Sequence, residues 1–137
     1  MPLALVTGAS EGLGRAFTKR LAGDGYQVVA VARNEARLQK LVGELGDGGH
    51  SFITADLCET AGVAEVAAAL SSKHFDLLVN NAGLGRYGDF ATSDVLHSQQ
   101  MIRLNCEALV TLSRAFLENA REGDALVNLS GVLGLLP

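Results

Sequence analysis

Apolar residues gather into five short runs along the chain: Leu3–Val6, Val28–Ala32, Phe52–Thr54, Leu77–Val79 and Ala125–Leu129. Each run is nearly continuous rather than alternating, which predicts parallel strands covered on both faces. Between the runs the spacing changes to the helical period. Leu13, Phe17 and Leu21 recur at every fourth residue, while Leu38, Leu41, Val42 and Leu45 follow i, i+3, i+4, i+7, as do Val63, Val66, Ala67 and Leu70. A longer helix is predicted from an N-cap at Ser93 to about Ala120, with Met101, Leu104, Ala108, Leu112 and Phe116 as its inward stripe. Strand and helix thus alternate throughout, with no repeat, linker or low-complexity tract. That alternation predicts a doubly wound α/β fold in three layers, α/β/α, with right-handed crossovers.

The first strand breaks into Thr-Gly-Ala-Ser-Glu-Gly-Leu-Gly at residues 7 to 14, just where a helical pattern begins. Such a turn suits a phosphate. Gly8 permits a tight exit from the strand, Gly12 lets the backbone approach a pyrophosphate, and Gly14 lets the helix pack close behind. The N–H groups at the helix start then face the anion. The spacing is G-x-x-x-G-x-G, not the G-x-G-x-x-G of the commonest dinucleotide fingerprint. Further on, Asp56-Leu57 follows the third run and Asn80-Asn81-Ala82-Gly83 closes the fourth. The loop from Asn81 to Thr92 lies at the carboxyl end of that strand, the side on which open α/β sheets bind ligands.

Composition narrows the field. With 48% hydrophobic and 19% charged residues in 137, the chain reads as one globular domain. A net charge of −4 and the lack of any Lys or Arg cluster argue against a nucleic-acid surface. No apolar run approaches the roughly 20 residues of a membrane span, and residues 1 to 6 are too short for a signal peptide. Cys58 and Cys106 are far apart and read as free thiols of a reducing cytosol, so a cytoplasmic protein is expected. His50, His74 and His97 are scattered, with no Asp, Glu or Cys at ligand spacing, and no metal is expected.

The glycine turn together with Asn80-Asn81-Ala82-Gly83 resembles the short-chain dehydrogenase/reductase family of NAD(P)-dependent oxidoreductases, over essentially the whole chain. The resemblance implies a Rossmann sheet of strand order 3-2-1-4-5. It implies hydride transfer between a nicotinamide and a small carbonyl or alcohol substrate, in a protein that is usually a homo-oligomer. The cofactor would be held by Gly8, Ser10, Glu11, Gly12, Leu13 and Gly14 of the turn, and by Asp56, beside Leu57, at the adenine amino group. Asn81, Ala82 and Gly83 would line the nicotinamide ribose. Taken alone, Asp56 also fits a turn aspartate, and two successive amides also fit an Asx turn.

Two further residues are catalytic candidates by the same resemblance. Asn105 falls among Leu104, Ala108 and Leu109, where an amide must find partners or cost about 1–3 kcal/mol. It reads either as a satisfied core Asn fixing a helix kink or, by resemblance, as the holder of a water in a proton relay. Ser130 lies in Asn128-Leu129-Ser130-Gly131-Val132-Leu133-Gly134, where the family pattern is Asn-x-Ser-Ser-x-x-Gly and the second Ser orients the substrate carbonyl. Anchored on Asn128 and Gly134, that second offset falls on Gly131, and Ser130 matches the first.

Cofactor choice turns on Val31-Ala32-Arg33-Asn34. NAD-preferring relatives carry an acid here, whereas this chain has Ala32 and then Arg33, whose guanidinium can fork onto a 2′-phosphate. Glu11 counts the other way, standing where NADP-preferring relatives often carry a base. NADP is expected, with NAD as the alternative. The family's acid/base pair, Tyr-x-x-x-Lys, does not occur: the tyrosines are Tyr26 and Tyr87, and Ala30 and Ala91 stand four residues on. The chain is therefore expected to be the amino-terminal fragment of an NADP-preferring reductase, residues 1–137 forming an incomplete Rossmann domain. The alternative is a truncated dinucleotide-binding module without catalytic activity.

Overall fold

In the computed structural model, which describes residues 1–131, the apolar runs become five parallel strands: β1 (Leu3–Thr7), β2 (Gln27–Ala32), β3 (Ser51–Thr54), β4 (Leu77–Asn80) and β5 (Ala125–Asn128). Their order is β3-β2-β1-β4-β5. Leu5 at the centre lies between Val29 and Leu78, and Leu78 in turn lies beside Leu126. Helices α1 (Gly12–Gly23), α2 (Glu35–Gly43), α3 (Thr60–Ser72), α4 (Val95–Ile102) and α5 (Leu109–Leu117) complete the described layers. The doubly wound arrangement and its strand order are those expected.

Successive strand residues point to opposite faces, so a run that is apolar throughout feeds two cores. Leu5, Val29, Val31 and Leu78 pack with Val66 and Leu70 of α3 and with Leu112 and Phe116 of α5. Ala4, Val6, Val28, Ala30, Leu77 and Val79 pack on the other face with Leu38 and Leu41 of α2 and the partly buried Phe17 and Leu21 of α1.

The long helix differs from its prediction at both ends and in the middle. Asp94, not Ser93, caps it, accepting from the Leu96 N–H at 3.0 Å. Ser93 instead closes a short 3₁₀ turn at Phe90–Thr92, its hydroxyl donating to the Phe90 carbonyl. The last helical residue is Leu117, short of Ala120, because the chain beyond is drawn to α3 by the Asn119 amide donating to the Ser71 carbonyl at 2.8 Å. Between α4 and α5, Arg103–Ala108 form a π-helical turn. The stripe Leu104, Ala108, Leu112, Phe116 advances by four residues at each step, wider than the α period of about 3.6, and the π turn absorbs part of that difference. Ala108, Leu112 and Phe116 are buried, and Met101 and Leu104 half-buried, as the stripe requires.

The orientation of α5 gives a direct test. Leu112→Ala should cost about 2–5 kcal/mol of stability, since Leu112 is fully enclosed. Val110→Ala, at a site 64% exposed, should change it by less than about 0.5 kcal/mol. Urea unfolding of the two variants reads the difference, and equal losses would mean the helix is turned otherwise.

Candidate functional site

The carboxyl ends of β1 to β4 open onto a groove of about 500 Å³. Its floor begins with the glycine turn. Gly8 and Gly12 take positive φ of 63° and 54°, a region that suits glycine. A Cβ at Gly8 would stand 2.8 Å from Asn81 Nδ2, and one at Gly14 would collide with the Gly8 carbonyl. A Cβ at Gly12 would meet nothing within 4 Å. Gly8 and Gly14 are thus required by the protein's own packing, while the side of Gly12 that lacks a Cβ is open. Glu11, at the N-cap of α1, makes no side-chain bond to its own helix, so the first-turn N–H groups carry no side-chain cap. An open glycine face beside an uncapped helix start fits a pyrophosphate.

Thr7, buried to 1% exposure, joins the two strands that flank the groove. Its hydroxyl accepts from the Asn81 and Ala82 N–H groups, each at 3.0 Å, and donates to the Val79 carbonyl. In return the Asn81 amide donates to the carbonyls of Thr7 and Gly8, at 3.0 and 3.2 Å. Asn80, also buried, donates to Ser113 Oγ on α5 and to Asn128 Oδ1 on β5. The two successive amides therefore tie β4 to both neighbouring strands and to a helix. Asn81 faces the glycine turn, not the groove; Ala82 and Gly83 carry the wall onward.

Of the residues singled out in the sequence, Gly8, Ser10, Glu11, Arg33, Asp56, Leu57, Ala82 and Gly83 line this groove. Gly12, Gly14 and Asn81 stand behind or beside it, and Leu13 is 66% exposed at the start of α1. Asp56 spends one oxygen on the Cys58 N–H at 2.9 Å, an Asx turn, and its other oxygen has no partner among the described residues. Burial, then the charge of Asp56, raises the pKa of the Cys58 thiol, which stays protonated at neutral pH. Arg33 is exposed on the rim, with no ion pair among the described residues.

Asn105 is a correction. It was expected on the apolar face, but the π turn rotates it outward and it is exposed. Its amide pairs with one residue of the loop after β4: Oδ1 accepts from the Leu84 N–H at 2.9 Å and Nδ2 donates to the Leu84 carbonyl at 2.8 Å. The amide is satisfied by backbone rather than by a core, and it holds the groove wall after Gly83. Ser130 and Gly131 are exposed beyond β5 and do not line the groove. Gly134, on which the serine offset was anchored, and the rest of 132–137 lie outside the described residues.

Arg37 and Leu84 line the groove and were missed. Arg37 was legible in principle, because it stands three residues after Asn34, an N-cap candidate directly after Arg33, and so falls in the first turn of the helix that starts there. His74 was missed as well. At the opposite end of the sheet it meets Asp76 and Asp124, a grouping whose geometry could hold a metal ion, although the sequence reading found it no partner. His74 Nε2 lies 2.8 Å from Asp124 Oδ2, which also accepts from the Arg121 N–H, and Asp76 Oδ2 accepts from the Leu3 N–H at 2.7 Å. Both carboxylates are thereby engaged in fastening the amino ends of β1, β4 and β5.

The short chain dehydrogenase family model matches residues 2–137. An NADP-dependent 3-hydroxy acid dehydrogenase, YdfG, of Escherichia coli is 34% identical over 140 residues, covering 98% of this chain and 56% of that protein. A short-chain dehydrogenase of Sphingobium yanoikuyae in complex with NADPH superposes with a TM-score of 0.94 at 34% identity, over 100% of this chain and 56% of that one. The bulky-bulky ketone specific alcohol dehydrogenase of Comamonas testosteroni gives 0.93 at 34% identity, over 100% and 57%. The chain thus spans a little over half the length of these relatives.

Thr7→Val should destabilise the protein by about 1–3 kcal/mol or more, because it strands two backbone N–H groups while keeping the side chain's shape. Dinucleotide titration of the same variant should show weaker binding; a variant as stable as the parent would show that the Thr7 hydroxyl does not hold the two strand ends together. At the other end, Asp124 has its pKa lowered by the Arg121 N–H and by His74. A depressed folded-state pKa stabilises above the ordinary value of 3.8, and the gain is lost as pH falls through the lowered value. Asp124→Asn should therefore lose stability at neutral pH and flatten the acid limb of a Tm-against-pH curve. An unchanged acid limb would show that the pair is idle.

Proposed function

This chain belongs to the short-chain dehydrogenases, and from that premise we propose that the protein is an NADP-dependent oxidoreductase moving hydride between the nicotinamide and a carbonyl or alcohol carbon of a small molecule. The observation that carries the cofactor choice is the end of β2. Ala32 leaves no carboxylate to take both ribose hydroxyls, and Arg33 stands on the groove rim without an ion pair among the described residues. A 2′-phosphate would meet a planar guanidinium instead of an acid. The similar E. coli enzyme is described as NADP-dependent and the Sphingobium structure holds NADPH.

In this reading Gly12 and the α1 amino terminus receive the pyrophosphate, and the free oxygen of Asp56 accepts from the adenine amino group. Ala82 and Gly83 border the nicotinamide ribose, with Asn105 holding the next residue, Leu84, in place. The bound nicotinamide supplies the hydride chemistry; the protein supplies position and electrostatics. Ser130 is the hydroxyl proposed to face the substrate carbonyl. The acid/base step needs a group beyond these residues, since neither tyrosine is followed by Lys at the fourth position. A homo-oligomer acting in the cytoplasm on a small carbonyl or alcohol, with no nucleic-acid or membrane partner, belongs to the same proposal. The second reading, a dinucleotide-binding module without redox activity, rests on that missing pair.

Turnover by the whole protein with NADPH and a panel of ketones and aldehydes separates the two, because a binding module titrates the cofactor and turns nothing over. Residues 1–137 alone should turn nothing over. Arg33→Asp removes the phosphate's partner and adds a like charge, so relative kcat/KM should move toward NADH by about 10- to 100-fold. An unchanged ratio would show that Arg33 is merely solvated and sink the cofactor assignment.

A further inference from the structure

Counting charges, Glu11 opposes an anionic cofactor, because it lines the groove at the very turn that approaches the phosphates. Its carboxylate is not free, however. Glu11 Oε2 pairs with Arg37 Nη1 at 2.8 Å, across the mouth of the groove from the glycine turn to the first turn of α2. Arg37 is delivered there by local geometry. Asn34, directly after Arg33, caps α2 by accepting from the Arg37 N–H at 3.0 Å, so the cap that starts the helix also sets where Arg37 leaves it. Glu11, Arg33, Asn34 and Arg37 all border the same groove. A guanidinium has five N–H donors in a fixed plane, and one bond to Glu11 leaves the others available.

We propose that Glu11 is a positioning residue for the 2′-phosphate of NADP: it holds Arg37 beside the groove as a second cationic partner to Arg33, so that this acidic residue raises the preference for NADP. The inference rests on the NADP reading above and extends it. Both side chains are substantially exposed, at 77% and 57%, so the pair adds little to stability. Its role is to narrow the positions a long, mobile side chain samples, reducing the ordering cost of phosphate capture. The rim without a cofactor then carries two guanidinium groups and one carboxylate. A bare charge count says that deleting the carboxylate must help the phosphate; positioning says it must hurt. The signs are opposite.

The test is isothermal titration of the whole protein with NADP⁺ and, separately, NAD⁺. Glu11→Gln should lower the ratio of NADP⁺ to NAD⁺ affinity by about 3- to 10-fold. Arg37→Gln should do the same. The double variant Glu11→Gln/Arg37→Gln should be no weaker than Arg37→Gln alone, because the two residues act in series. Glu11→Asp should recover part of the loss. A raised ratio in Glu11→Gln, equal losses for both cofactors, or additive losses in the double variant would each overturn the proposal. Arg33→Ala is the reference: if it leaves the NADP⁺/NAD⁺ ratio untouched, the cofactor reading itself fails. If it moves the ratio while Glu11→Gln and Arg37→Gln do not, only this inference falls.

Discussion

The hydroxyl of Thr7 is the point on which the carboxyl end of this sheet depends. The crevice of an open α/β fold lies where the winding reverses, here between β1 and β4, whose chains leave in opposite directions. Two diverging segments have no ladder to hold them, and their backbone groups must find partners or be left buried and unpaired. Thr7 and Asn81 supply those partners reciprocally, oxygen to amide and amide to carbonyl, at four distances between 3.0 and 3.2 Å. The glycine turn and the wall at Ala82–Gly83 are therefore set relative to one another before any ligand arrives. Such pre-organisation is what a binding site gains from a rigid scaffold.

Polar side chains elsewhere extend the same logic. Asn80 reaches β5 and α5, Asn105 reaches Leu84, Asn119 reaches α3, and Asn34 starts α2. Amides recur because each offers donor and acceptor in one plane, so a single residue can answer both a free N–H and a free carbonyl. Asn105 does so at Leu84 in the manner of a neighbouring strand. The groove is thus framed by short-range polar bonds mounted on two apolar cores, with the cores deciding the fold and the amides deciding the geometry at its rim.

The fold was legible because its signal is redundant: five apolar runs, each read twice, once by length and once by the helical periods between them. Strand order followed from family resemblance, not from periodicity. What was not legible depended on partners distant in sequence or on a choice between adjacent residues. Asn105 looked like a core residue because its neighbours are apolar, yet a one-turn change of helical pitch moved it outward. The hint lay in the repeated four-residue step from Leu104 to Phe116, wider than an α-helix sustains. Ser93 lost the cap to Asp94 because either residue fits, and the preceding 3₁₀ turn had already claimed the serine hydroxyl. His74 has Asp76 two residues on, but Asp124, to which its ring is bonded, lies in a loop fifty residues away. No local pattern reports that pairing.

Cys58 carries a consequence of its own. A sulfhydryl on the wall of an open cleft is a hazard, since the thiolate is the form that attacks electrophiles and oxidants. Here burial and the adjacent Asp56 charge keep it in the neutral form, and Sγ is directed to the Gln100 carbonyl. The carboxylate that lines the groove beside it thereby also keeps its sulfur neighbour in the unreactive form.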